Sequence, residues 1–243
     1  MAYLLAIETS TEICSVALSK NRECVAIVED NTGNSHAEKL LPFVDEVFKK
    51  SGVKKNELDA VCISEGPGSY TGLRIGTSSA KGLCHALDIP LIAISTLQCM
   101  AYGAREQYPD YKQYCPMIDA RRMEVYTAVY NQYLEPIENI TNMILDENSF
   151  SNLLAKDKAV FCGNGATKAI SLFSKNTNAI FCNTMTSARY LLELGYRKYV
   201  EQNFVDVAYF EPFYLKEFSA EISKNPLKQI SQLLTGKNHG NRD

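Results

Sequence analysis

Hydrophobic positions in the first hundred residues form short continuous or alternating runs, and later runs at helical spacing, all separated by polar turns. Residues 3–7 are apolar throughout, residues 13–18 alternate, and Cys24 to Val28 is a third apolar run; polar turns at Thr9–Glu12 and Ser19–Glu23 divide them. This reads as a three-stranded meander. Ser35-His36-Ala37-Glu38 has the form of a capping box, in which Ser accepts from first-turn amides and Glu reaches back to the cap. Beyond it Ala37, Leu40, Leu41, Val44, Val47 and Phe48 recur at helical spacing, with Pro42 marking a kink and Gly52 the stop. Then come a strand over 60–63, a glycine-rich turn over 66–68, a helix ending near Leu87, a strand over 90–94 and a helix over 96–107. The order βββαβαβα fits a mixed α/β sheet with a meander on one side and right-handed crossovers on the other.

After Pro109 the same grammar starts again. Cys115 to Ile118 is apolar and ends in Asp119, a polar turn at Arg121-Arg122 follows, and Glu124 to Asn131 alternates. Aligning the halves sets Asp119 on Glu8, each an acid closing a first strand just before a turn and a second strand. A helix near 148–155, a strand over 159–162, the turn Gly163-Asn164-Gly165 opening a helix, a strand over 179–182 and a helix over 187–200 continue the second copy. The repeat is one of architecture, since the letters barely match. It divides the chain into a lobe over 1–108, a lobe over 109–218 and a polar tail over 219–243 whose last residues fray.

Composition narrows the class. At 243 residues with 46% apolar and 22% charged, the chain has the makeup of an ordinary globular protein with a self-sufficient core. Lys plus Arg number 25 against 28 Asp plus Glu, for a net charge of −3, so autonomous binding to a polyanion such as tRNA is disfavoured. None of the eight cysteines forms CxxC, which excludes a zinc ribbon or thioredoxin motif and points to a reducing compartment. The N-terminus lacks the basic start of a signal peptide, and no run approaches 18 apolar residues. The expectation is a cytoplasmic protein without membrane contact.

Candidate chemistry is sparse. Glu8 and Asp119 sit where a nucleotide-phosphate cleft between duplicated lobes would need acids for Mg²⁺ or its water shell, with Thr9 beside Glu8. Neither turn contains Gly, and acids at strand ends are also ordinary turn formers. The segment Gly66-Pro67-Gly68-Ser69-Tyr70-Thr71-Gly72-Leu73-Arg74-Ile75-Gly76 is neither GxGxxG nor a P-loop. Gly68, Gly72, Gly76, Ala80 and Cys84 make a ridge of small residues every four positions. A glycine inside a helix costs about 1 kcal/mol relative to Ala. Close approach of another helix or backbone is the compensation the ridge requires, with anion binding at the turn amides the alternative. His36 lacks a second His one turn on, because position 40 is Leu, and no GxSxG elbow exists.

Several of these segments coincide with the motifs of one family: Leu5-Ala6-Ile7-Glu8-Thr9-Ser10-Thr11, Ser35-His36-Ala37-Glu38-Lys39-Leu40-Leu41-Pro42, Gly66 to Gly76, Asp119-Ala120-Arg121-Arg122-Met123-Glu124-Val125-Tyr126 and Pro212-Phe213-Tyr214-Leu215-Lys216. Together they resemble the bacterial TsaB family, formerly YeaZ. The resemblance implies an actin-like, sugar-kinase-like ATPase fold with ribonuclease H-like lobes. It also implies a non-catalytic subunit that dimerises with its catalytic paralogue TsaD. With TsaE and ATP, that complex transfers threonylcarbamoyl from an adenylate, made by TsaC or a relative, to the adenosine beside the anticodon of tRNAs reading ANN codons. On that resemblance the chain binds no cofactor tightly, ATP being used by the complex, and meets tRNA only through the complex. The paralogue's metal is held by an HxxxH pair of which His36 alone is kept, so no metal is expected. The family's partner surface is the helix after His36 with the helix after Gly66, here His36, Leu40, Leu41, Val44, Gly68, Gly72, Leu73, Gly76 and Ala80. The same surface can support a homodimer. Glu8, Thr9 and Asp119 would then line a vestigial nucleotide cleft. An autonomous kinase of the same fold and a glycoprotease-type metallopeptidase are the alternatives. The first turns lack the glycines that a kinase needs, and the peptidase's ligands are missing.

Overall fold

The computed structural model describes residues 1–33 and 36–216. Ser35 of the capping box and the tail over 219–243 lie outside the described residues. In the first half, strands β1 (Tyr3–Glu8), β2 (Cys14–Lys20) and β3 (Glu23–Asp30) precede helix α1 (His36–Ser51), β4 (Ala60–Gly66), α2 (Tyr70–Leu87), β5 (Leu91–Ser95) and α3 (Thr96–Gln107). The second half repeats the order: β6 (Gln113–Asp119), β7 (Glu124–Asn131), β8 (Pro136–Ile144), the short α4 (Ser151–Leu154), β9 (Ala159–Cys162), α5 (Ala166–Phe173), β10 (Ala179–Phe181) and α6 (Ala188–Val200).

Each half forms one five-stranded sheet, ordered β3-β2-β1-β4-β5 and β8-β7-β6-β9-β10. In both, the first three strands are an antiparallel meander and the last two lie parallel to the first. The register Ile7↔Val16 and Glu8↔Ser15 in one sheet has its counterpart in Ile118↔Tyr126 and Asp119↔Val125 in the other. The duplication is therefore complete, and β8 is the element the hydrophobic pattern missed. It is an edge strand whose residues are mostly exposed, so it carries no buried stripe to read. Helix α4 is also shorter than the helix expected over 148–155.

Five layers result. Leu40, Val44, Val47 and Phe48 of α1 and Ala80 and Cys84 of α2 cover the outer face of the first sheet. Helices α4 and α5 cover the outer face of the second through Leu153, Leu154, Ala169 and Phe173. Between the sheets, Leu97, Met100 and Ala104 of α3 and Leu191, Leu192 and Leu194 of α6 join Leu4, Ala6 and Cys62 to Tyr114, Val160 and Cys162 in one core. The expected boundary at residue 108 falls between α3 and β6, yet α6 from the second half packs on β1 and β2 of the first. Helix α1 runs through Pro42 and ends at Gly52, whose φ of +71° accommodates the left-handed turn that stops it. The chain after α6 returns to the first lobe: Val205 bridges to Leu91, and Phe213 N donates to Glu65 O at 2.7 Å.

Candidate functional site

The turn after β1 lies where the first lobe meets the second. Glu8 is wholly buried. Its Oε1 accepts from Ser10 N at 2.6 Å, Ser10 Oγ at 2.5 Å and Ser64 Oγ at 3.0 Å. Its Oε2 has no partner among the described residues. Burial pushes the carboxyl above its ordinary value, and the hydrogen bonds from Ser10 and Ser64 only partly offset this.

Thr9 and Ser10 are clasped by the glycine-rich segment. Thr9 Oγ1 donates to Gly72 O at 2.8 Å, and Ser69 N donates to Ser10 O at 2.6 Å. A Cβ at Gly72 would collide with the Thr9 carbonyl, one at Gly68 with the Ser10 carbonyl, and one at Gly76 with Thr9 Oγ1. The ridge therefore has the close backbone approach that its glycines require, but the approaching backbone is the chain's own first turn. At the start of α2, Ser69 N is taken by Ser10 O, and Gly72 N donates to Ser69 Oγ at 3.2 Å. Both amides are thus engaged within the chain.

Two further bonds link the lobes below this turn. Thr11 Oγ1 and Thr186 Oγ1 lie 2.6 Å apart, and Asn164 Nδ2 donates to Glu12 at 2.9 Å. His36 Nε2 lies 2.7 Å from Thr11 O, so this nitrogen carries the proton and donates to the carbonyl. Among the described residues no group of three or more His, Cys, Asp or Glu is placed to hold a metal ion.

Asp119 closes β6 as Glu8 closes β1, but its surroundings differ. It is exposed, and Oδ1 accepts from Arg121 N and Lys168 Nζ, each at 2.6 Å. Arg121 and Arg122 take left-handed backbone, at φ +73° and +46°. Glu8 and Thr9 are buried on one side and Asp119 is tied to Lys168 on the other, so the three do not line one open cleft. That corrects the expected nucleotide-cleft grouping. The physical reason is that Gly68, Gly72 and Gly76 bring α2 against the turn and fill the space beside it.

The expected partner-surface residues also divide. Leu40, Val44, Leu73, Gly72, Gly76 and Ala80 are buried within this chain, Gly68 is half-buried, and His36 is turned onto Thr11. Leu41 alone of that set is exposed, at 54%. The outward face of α1 is Ala37, Glu38, Leu41, Pro42 and Asp45, and that of α2 includes Thr71, Arg74, Ser78, Gly82 and His85. Sequence reasoning missed this α2 face. Its signal was the set of polar and small residues offset from the glycine ridge by part of a turn. Arg74 lies over the Tyr70 ring, which meets Tyr214 of the returning segment at 5.0 Å. Lys216 in that segment pairs with Glu124 of the second lobe. Among the described residues no helix is long and apolar enough to cross a membrane.

Two facing copies of one βββαβαβα unit, with α3 and α6 packed between their sheets, are the architecture of the actin-like and sugar-kinase-like ATPases. The activator of the 2-hydroxyisocaproyl-CoA dehydratase from Clostridium difficile shares it, with a TM-score of 0.51 at 10% identity over 90% of this chain and 100% of that one. Residues 27–224 match the family model described as TsaD: tRNA N6-adenosine threonylcarbamoyltransferase. The tRNA threonylcarbamoyladenosine biosynthesis protein TsaB of Haemophilus influenzae is 33% identical over 222 residues, which are 88% of this chain and 93% of that protein. The Escherichia coli protein of the same name is 39% identical over 129 residues, 53% of this chain and 55% of that one. YeaZ from Pseudomonas aeruginosa superposes with a TM-score of 0.74 at 29% identity, over 88% of this chain and all of that one. The chain belongs to the TsaB (YeaZ) family.

Proposed function

We propose that this protein acts in tRNA threonylcarbamoyladenosine biosynthesis as a non-catalytic subunit that pairs with TsaD. The pathway is supported by the names of the relatives. The non-catalytic role is supported by one observation above the others: the first-lobe turn is closed by its own chain, with Glu8 buried and Thr9 locked to Gly72. A phosphate-binding turn presents amides to the ligand, whereas Ser10 N in this turn donates to Glu8, and Ser69 N and Gly72 N at the facing start of α2 are engaged internally. The residues present therefore do not fit a tightly held nucleotide at this turn, and ATP is used by the complex with TsaE. The tRNA meets this chain through the complex, in keeping with its net charge of −3.

The docking face is the outward side of α1 and α2, centred on Leu41, and in the absence of TsaD it serves a second copy of this chain. The test is gel-filtration co-elution with TsaD. Leu41→Glu is expected to abolish co-elution with the thermal midpoint unchanged, because Leu41 supports no core of its own. Retained co-elution would move the interface elsewhere. Steady-state ATP turnover by the isolated chain, abolished by Glu8→Ala, would replace this reading with that of an autonomous kinase.

A further inference from the structure

The parallel edge of the second sheet sets two cysteines side by side. Ala159 pairs with Ala179, Val160 with Ile180 and Phe161 with Phe181. Cys182 N then donates to Phe161 O at 3.0 Å, which carries the ladder one position further and sets Cys182 opposite Cys162. Neighbouring strands lie about 4.8 Å apart, inside the Cα separation of about 4.4–6.8 Å that a disulfide spans. Paired positions send their side chains to the same face, and here both cysteines join the core between the sheets. Both thiols are free.

They differ in surroundings. Cys162 is fully enclosed, with Sγ 3.9 Å from Met100 O. Cys182 is 8% exposed, and its Sγ lies 3.4 Å from Thr184 Oγ1. The neighbouring Cys162 thiol and the Thr184 hydroxyl hold Cys182 below the ordinary thiol range against its burial, while Cys162 is pushed up. A more accessible sulfur with thiolate character, backed by a second thiol within bonding reach, is the arrangement of a redox pair.

We propose that Cys182 and Cys162 form a dithiol couple that closes to a disulfide on exposure to a small-molecule disulfide, with Cys182 attacking and Cys162 resolving. The Cys182 thiolate attacks one sulfur of the reagent, forming a mixed disulfide and releasing one reagent thiolate. Cys162 then gives its proton to a base, attacks the Cys182 sulfur and expels the second reagent thiolate. Two protein thiols are oxidised to one disulfide, and one reagent disulfide is reduced to two thiols. The new bond would fix the end of β10 where the chain crosses to the first lobe through Thr186 and Ser187.

The experiment uses the folded full-length chain and oxidised glutathione. After quenching, the thiol titre should fall by two, and non-reducing peptide mapping should find Cys162 joined to Cys182, reversibly with dithiothreitol. Cys162→Ser should accumulate glutathione on Cys182, and Cys182→Ser should give neither adduct nor cross-link at these positions. An unchanged thiol titre in the folded wild type, or a cross-link between other cysteines, would overturn the proposal. Wild-type mapping decides the matter even if either serine variant fails to fold.

Discussion

Thr9 and Gly72 are interlocked: the Thr9 hydroxyl donates to the Gly72 carbonyl at 2.8 Å, and the Thr9 carbonyl occupies the space a side chain at Gly72 would need. One residue thus closes the first-lobe turn from both sides.

Gly72 and Gly82 stand in the same helix with opposite requirements. Gly72→Ala forces a methyl into backbone and should cost upwards of about 2 kcal/mol, as overpacking of a tight site does. Gly82 has nothing within 4 Å of a built Cβ, so Gly82→Ala should stabilise by up to about 1 kcal/mol. Urea unfolding of the two variants beside wild type checks both signs. Equal effects would show that α2 does not press on the turn.

Leu40 and Leu41 are neighbours in α1 that differ in exposure, at 1% and 54%. Leu40→Ala should lose about 2–5 kcal/mol through the cavity it leaves, and Leu41→Ala should stay within about 0.5 kcal/mol. Thermal unfolding distinguishes them. A Leu41 variant that unfolds like the Leu40 variant would place α1 with its other face inward.

Removal of the His36 ring would leave the buried Thr11 carbonyl without its donor, which costs about 1–3 kcal/mol. His36→Ala is therefore expected to unfold at lower urea concentration, equally with and without added Zn²⁺. A zinc-dependent midpoint in wild type that the variant loses would instead make His36 a ligand.

Glu8 fixes the sign of a pH effect. Burial raises its carboxyl in the folded state above the ordinary 4.5, so the native protein binds that proton more tightly than the unfolded chain does. The contribution to stability is full below about pH 4.5 and is lost as pH rises through the folded value. Glu8→Gln, neutral with the same shape, should flatten this part of the profile and unfold at a higher temperature than wild type at pH 8. Parallel profiles for the two proteins would show that Glu8 does not titrate out of register.

Much of this was legible from residue spacing. The meander of β1 to β3, the duplication, and the equivalence of Glu8 and Asp119 all follow from where apolar runs end in acids. The ridge of Gly68, Gly72 and Gly76 signalled a close contact, but a period of four cannot say whether the approaching backbone is another chain or residues Thr9 and Ser10. The same limit applied to α1, where Leu40 and Leu41 are equally apolar and only the packed sheet decides which is inward. Strand β8 escaped because its apolar residues, Ile137, Ile140, Met143 and Ile144, do not alternate and none of them is buried. Tyr114 shows a further limit: it lies outside the apolar run over 115–118, yet its hydroxyl donates to Tyr108 O and Tyr111 O and its ring is in the core.

Helix α6 has a consequence for how the molecule is made. A ribosome delivers the chain from residue 1 onward, and the inner side of the first sheet is emitted long before Leu191, Leu192 and Leu194, which cover it. Val205, which bridges to the edge strand β5, and Phe213, which bonds to Glu65, emerge later still. A nascent chain paused anywhere before residue 188 therefore shows an apolar sheet face that α3 covers only in part to the chaperones around the exit tunnel. The first lobe to be synthesised is completed only when the last helix of the second has left the ribosome.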